Sequence, residues 1–151
     1  MDITILACGK IKKGSISELL NHYSKQLHWN VVTKEIIVSQ NDSVSKKREE
    51  SKRLIEALSD QAYVIALDET GKDFTSREIA GVFDKQQQLS TKHIQIIIGG
   101  ADGLTKEILD RASIKLRFGK QTWPHKLVRL MLIEQLYRAQ SILDNHPYHR
   151  D

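Results

Sequence analysis

The sequence predicts a single α/β domain, residues 1–151, built as a parallel sheet with helices on both faces. Three observations carry that expectation. Short β-branched runs alternate with amphipathic stretches along the whole chain. Those runs are close to continuously apolar, as strands covered on both faces are, instead of alternating. No repeat, low-complexity tract or linker interrupts them, and 151 residues suit one hydrophobic core.

Each element follows in order. "ITILA" (3–7) reads as a short strand closed by Gly9. "SISELLNHYSKQL" (15–27) sets Ile16, Leu19, Leu20, Tyr23 and Leu27 at helical spacing. "VVTKEIIV" (31–38) returns the chain to the sheet. The stretch 41–60 opens as a polar loop and becomes an amphipathic helix ending on Leu54, Ile55 and Leu58. "YVIALDETGK" (63–72) is a buried strand followed by an acidic, glycine-containing turn. Thr75 and Glu78 have capping-box spacing, because a threonine hydroxyl and a glutamate three residues on can each satisfy the other's free N–H. "IQIII" (94–98) is another buried strand, running into Gly99, Gly100 and Gly103. A short helix over Lys106–Arg111 and the strand "IKLRF" (114–118) follow, and a last helix runs from about His125 to Leu143.

That last helix is apolar on nearly every face of "LVRLMLIEQLYRA" (127–139), with Arg129, Glu134 and Arg138 as isolated exceptions. A helix apolar all round must be buried all round. A second copy covering its outer face, in a C2 homodimer, is one way to do so; deep burial within a monomer is the other.

Composition narrows the function classes. Apolar residues are 40% and charged residues 28%, the balance of a soluble globular chain. No run is long enough to span a bilayer, and the amino terminus lacks the basic start and apolar core of a signal peptide, so the expected location is cytoplasmic with no membrane partner. A single cysteine, Cys8, excludes an internal disulfide framework and any multi-cysteine zinc site, and it reads as a small core residue. His146 and His149 supply at most two ligands, so no metal is expected. The net charge of +4 is uneven: residues 1–110 balance to −1, whereas residues 111–151 carry eight basic side chains against Glu134, Asp144 and Asp151. By itself this fits either a polyanion partner at that end or a solvated helix face.

In open parallel sheets ligands bind beyond the carboxyl ends of the strands. Three segments leave those ends: "LDETGK" (67–72), "GGADGL" (99–104) and "FGKQTWPH" (118–125). The G-G-x-x-G pattern matches neither the dinucleotide fingerprint nor the triphosphate loop, and no G-x-S-x-G nucleophile elbow is present. Any one of these loops taken alone reads as a glycine turn without a ligand.

Taken as an ordered set, the segments are more specific. "ITILACGK", "ALDETGK", "IIIGGADGL", "FGKQTWPHKLVRLMLIEQLYRA" and the closing "NHPYHR" together resemble the bacterial large-subunit (23S) ribosomal RNA pseudouridine N3-methyltransferase family (RlmH), of the SPOUT class, over essentially the whole chain. "PHKLVRLMLIEQLYRA" and the tail are its most specific parts. Ala101 stands where some members have proline, which keeps a small residue there.

The resemblance implies a parallel α/β fold with a carboxyl-terminal trefoil knot, a connection that ordinary topology rules would not suggest. It implies a homodimer that binds S-adenosylmethionine (SAM) in the knot and methylates N3 of a pseudouridine in large-subunit ribosomal RNA; naked RNA, a subunit or the assembled ribosome stay open as the form of the substrate, and the small basic surface points to the assembled ribosome. Carried over by motif, the SAM pocket comprises Leu67, Gly99, Phe118, Gly119, Lys120, Gln121, Thr122 and Trp123; for Trp123 and Phe118 core packing is the competing role. The tail of one subunit is expected to complete the site beside the SAM of the other. There Arg150 would hold a phosphate, Tyr148 stack on or bond a base, and His149 orient it or relay the N3 proton. Glu134 is either a further proton-handling group or the buried partner of an arginine, and His125 reads as a helix-start residue. The alternatives are a non-catalytic, ribosome-associated RNA-binding protein that keeps the fold, and a flavodoxin-like nucleotide binder, which leaves the tail unexplained.

Overall fold

The structure is a computed structural model that describes residues 1–150; Asp151 lies outside the described residues. Along the chain run β1 (Asp2–Cys8), α1 (Ser15–Ser24), β2 (Asn30–Ile36), α2 (Ser43–Ala57), β3 (Tyr63–Asp73), α3 (Ser76–Gln88), β4 (His93–Ile98), α4 (Lys106–Arg111), β5 (Ile114–Arg117) and α5 (His125–Leu143). Among the described residues the strands form one five-stranded sheet in the order β2-β1-β4-β3-β5, with every neighbouring pair parallel. This is the α/β architecture that the alternation of strands and helices predicts.

The central strand shows why continuous apolar runs mark this fold. In β4 every residue from Ile94 to Ile98 is buried, because β1 and β3 flank it and helices cover both faces. Alternate residues still part to opposite sides. Ile94, Ile96 and Ile98 join Ile3, Ile5, Ile65 and Leu67 under α3 and α5, whereas Ile97 joins Leu6, Cys8, Val64 and Ala66 under α2 and α4. Each of these large side chains contributes about 1.5–3 kcal/mol by leaving water. The one polar residue within that run, Gln95, is tied off locally: its Nε2 donates to Ala57 O at 3.0 Å and its Oε1 accepts from Ser59 N at 2.8 Å. It thereby fastens the α2–β3 turn without an unpaired polar atom in the core.

Two elements depart from the expectation. The first helix ends at Ser24 and not at Leu27, because Gln26 and Leu27 donate to carbonyls three residues back and tighten the chain into a turn. The strand at 63–72 does not stop at its acidic turn. Both Leu67 and Lys72 of β3 register with Leu116 of β5, so residues 68–71 loop out and the strand resumes. Gly71 makes that possible: a Cβ there would lie 2.6 Å from the backbone carbonyl carbon of Leu116. Arg117 then closes the bulge with two 2.8 Å bonds to the carboxylate of Asp73.

The T-x-x-E pair forms the capping box at α3, with Glu78 N 3.2 Å from Thr75 Oγ1 and Thr75 N 2.6 Å from Glu78 Oε2. In α5 much of the all-round cover comes from the same chain. Leu132, Ile133, Leu136 and Ala139 are buried against α1, α3 and the sheet, and Gln140 accepts from His28 N at 2.9 Å and donates to Gln26 O. Leu130 and Met131 stay half-buried on a groove.

Candidate functional site: a cleft and a tail

The carboxyl ends of β3, β4 and β5 open into a cleft of about 380 Å³. Its floor is Leu67, Ile98 and Leu116 with Val128 of α5, all apolar, and its walls are the three loops that the sequence singles out. Seven of the eight residues that the resemblance assigns to a SAM pocket border it: Leu67, Gly99, Phe118, Gly119, Gln121, Thr122 and Trp123. Lys120 is exposed and is not among the residues lining the cleft.

Local chemistry shapes each wall. The 99–104 loop folds on itself through Gly103 N to Gly100 O at 3.1 Å. Behind it, Glu50 of α2 is 5% exposed, and a Cβ on Gly100 would lie 2.7 Å from its Oε2. Burial pushes the Glu50 carboxyl up; nearby Lys46 opposes that and Asp102 adds to it. Cys8, next to the same loop, is pushed up to about 12 by burial first and by the Glu50 charge second. It is a core thiol, as its position on a buried strand suggests. The 118–123 loop is closed by Trp123, whose Nε1 donates to Phe118 O at 2.8 Å, leaving the indole 41% exposed at the cleft edge. Neither packing alone nor ligand contact alone describes Trp123, which staples its own loop and still faces the cleft.

The acidic bulge forms the third wall. Thr70 donates both its N–H (2.9 Å) and its hydroxyl (2.6 Å) to Asp68 Oδ1, which holds Asp68 and Glu69 on the cleft rim. These carboxylates, with Lys47 and His125, are cleft residues that sequence reasoning did not single out. For Asp68 and Glu69 the available signal was a place directly after the predicted buried strand; Lys47 lies within α2 and His125 opens α5. His125 does begin α5, as expected, yet it also lines the cleft. Burial holds its imidazole below the usual range, and the charges of Lys126, Arg129 and Lys46 push the same way.

The tail folds back on α5. Tyr148 donates its hydroxyl to Glu134 Oε1 at 3.0 Å, and its ring lies 4.5 Å from that of Tyr137. Arg138 donates to the same Oε1 from Nη2 at 2.6 Å and from Nε at 3.0 Å, and its guanidinium stands 4.8 Å over the Tyr148 ring. Nδ1 of His149 is 3.3 Å from Arg138 Nη1. Of the predicted tail-site residues, Glu134, Tyr148 and His149 are thus brought together, with Glu134 as the arginine's partner; Arg150 is exposed. Burial, with bonding to Tyr23 and Glu134, raises the Tyr148 phenol above its ordinary value. Tyr23 and Tyr137 complete this cluster and were not legible beforehand.

A groove of about 640 Å³ joins the two regions. Glu134, Tyr23 and Met131 line one side, and Arg117, Phe118 and Gly119 of the cleft loop line the other. Phe118 therefore borders both cavities. Among the described residues there is no cluster of three or more His, Cys, Asp or Glu that could hold a metal, and no helix is long and apolar enough to cross a membrane.

Comparisons with known proteins find matches over nearly the whole chain. A family model described as "Predicted SPOUT methyltransferase" matches residues 1–149. A protein of Allorhizobium ampelinum named Ribosomal RNA large subunit methyltransferase H is 40% identical, with 99% of each chain covered. One of Clostridium beijerinckii with the same name is 38% identical over 99% of this chain and 100% of its own. Among solved structures, the A. aeolicus TrmH/SpoU tRNA modifying enzyme superposes with a TM-score of 0.54 at 10% identity, covering 99% of this chain and 82% of that one, a likeness of fold alone.

Proposed function

The chain belongs to the SPOUT methyltransferase family, and from that premise we propose that it uses SAM to methylate N3 of a pseudouridine in large-subunit ribosomal RNA, acting in the cytoplasm on the assembled ribosome as a homodimer with the knotted carboxyl-terminal topology of its class. The observation that carries this reading is a coincidence of place. The loops that the family motifs mark are the loops that wall one cleft at the strand ends, and full-length relatives bear the name of a ribosomal RNA methyltransferase.

The cleft suits SAM by the chemistry of its lining. An apolar floor of Leu67, Ile98 and Leu116 would suit an adenine ring, small residues would let main chain approach it, and the rim carboxylates Asp68 and Glu69 would suit its sulfonium and ammonium charges. When bound, SAM supplies an electrophilic methyl group. The rest falls to this chain, whose task in an in-line displacement is chiefly positioning. Phe118 and Gly119 border both the cleft and the groove, and the target base would be brought to the cleft beside them.

Glu134 acts as a positioning residue that fixes Arg138 and Tyr148 in one geometry. Tyr148 offers a ring for stacking on the base, and His149 accepts or relays the N3 proton. Arg138 and Arg150 offset the negative charge that develops as that proton leaves. The half-buried apolar side chains of the groove, Leu130 and Met131 with the 46%-exposed Leu19, form the surface that a second copy covers. The partner's tail then enters beside the cofactor cleft.

The test is mass spectrometry of ribosomal RNA after incubating purified protein and labelled SAM with ribosomes that lack the modification. A methyl group gained at one pseudouridine is expected. SAM binding without transfer to ribosomes, subunits or RNA would overturn the substrate. A mixture of a tail-deleted chain with a Gly99→Trp chain tests the shared site: heterodimers recover activity if the tail acts across the dimer, and stay inactive if it does not.

A further inference from the structure

The carboxyl ends of β1 and β4 and the first turns of α2 and α5 meet beside the cofactor cleft. At that meeting point the β1–α1 loop, "GKIKKG" (9–14), carries Lys10, Lys12 and Lys13, all exposed, with no acidic residue before Glu18. Lys46 and Lys47 open α2, and Lys47 itself lines the cleft; Lys126 follows His125 on α5. Contact ties the loop to the cleft: a Cβ on Gly9 would lie 3.1 Å from Nε2 of the cleft residue His125. Among the described residues none of these six lysines forms an ion pair, whereas Arg53, Arg111, Arg117, Arg129, Arg138 and Lys106 all do.

The loop that presents them is held from beneath. Arg129, 3% exposed, donates to Gly9 O at 2.9 Å and to Glu35 Oε1 at 2.6 Å, and the same Oε1 accepts from Ile11 N at 3.0 Å. Glu35, beside the loop, is thereby bonded to a buried guanidinium and a backbone N–H, and its charge also faces Lys10. Free cations on a backbone fixed at two points are suited to an extended polyanion, because little further ordering is needed when phosphates arrive.

We infer that this rim, Lys10, Lys12 and Lys13 with Lys46, Lys47 and Lys126, seats the sugar-phosphate backbone of the ribosomal RNA that flanks the target nucleotide, and that the Arg129–Glu35 pair positions the loop for it. The inference rests on the ribosomal RNA reading above and adds where the RNA strand runs. It places a phosphate track at the β1 side of the cleft, on the far side of Gly99 and Gly100 from the β5 loop.

The experiment measures binding of the full-length chain to assembled ribosomes lacking the modification, across a salt series, with SAM binding followed in parallel. K10A/K12A/K13A is expected to weaken ribosome binding by about tenfold or more and to flatten the slope of log affinity against log salt by about two to three, near one phosphate contact per lysine. SAM affinity should stay at the wild-type value. K85A/K92A, at the opposite end of the sheet, should change neither quantity. Glu35→Gln, which keeps every lysine, should raise the KM for ribosomes and leave kcat unchanged, as a positioning residue does and a catalytic one does not. Wild-type slope and affinity in the triple variant, with wild-type enzyme binding and methylating ribosomes normally, would overturn the rim alone. An equal loss in K85A/K92A would overturn it in favour of overall charge. A wild-type chain that binds SAM but neither binds nor methylates ribosomes would remove the ribosomal RNA reading itself.

Discussion

The cleft is walled largely by loops after three strands, with glycines set among apolar and polar side chains, while the tail is held by long side chains of α5 with Tyr23 of α1. In the cleft, Gly100 lies against the Glu50 carboxylate, and Trp123 closes its own loop onto a carbonyl. In the tail, one oxygen, Glu134 Oε1, accepts from Arg138 and Tyr148 together. A cleft of this kind fails when volume is added. A network of this kind fails when a single atom is removed. Binding and chemistry can therefore be lost separately, and that separation is open to test.

The largest effect is expected from deleting residues 148–151. Turnover should fall by about a hundredfold or more, the scale of losing a positioned proton-transfer group, while calorimetry shows SAM binding close to wild type. Retained turnover would mean that the tail is ornamental. Next comes Gly100→Val, which drives a side chain into the Glu50 carboxylate. Overpacking costs about 1–3 kcal/mol, and the loss should appear as weaker SAM binding with the tail contacts intact, read from unchanged Tyr148 resonances. Equal SAM affinity in this variant would show that the loop gives way freely.

A smaller effect is expected of Glu134→Gln. Arg138 and Tyr148 lose a charged acceptor, at a cost of about 1–3 kcal/mol, so thermal unfolding shifts and kcat drops with little change in SAM affinity. A variant with altered SAM affinity and full turnover would reverse the division drawn between the two regions. The smallest effect concerns the core beneath the 99–104 loop. Cys8, raised to about 12 by burial, should stay unlabelled by iodoacetamide at pH 8 in the folded protein and react only on denaturation. Rapid labelling of native protein would show that this core opens.

Much of this was legible in the residues because the governing interactions are local. Continuous apolar runs such as "IQIII" mark β4 because a strand covered on both faces has no face to leave polar. The Thr75–Glu78 pair marks a helix start because both bonds close within one turn. The end of the 63–72 strand was not legible, since whether β3 resumes after its bulge depends on how closely Gly71 can approach β5, a partner distant in sequence. For the same reason His125 reads as a helix start, although the fold also presents it to the cleft.

By itself the sequence determined the fold class, the order of its elements and, through motif resemblance, the loops that wall the cleft, because period, caps and glycine turns act over a few residues. Only the tertiary structure decided that Glu134 serves Arg138 and Tyr148, that Phe118 borders both cavities, and that Arg129 reaches beneath the lysine loop to Gly9 and Glu35. Most of those facts join groups from separate elements. A carboxylate that accepts a bond or a guanidinium buried from water finds its partner through packing in three dimensions, which chain order does not encode.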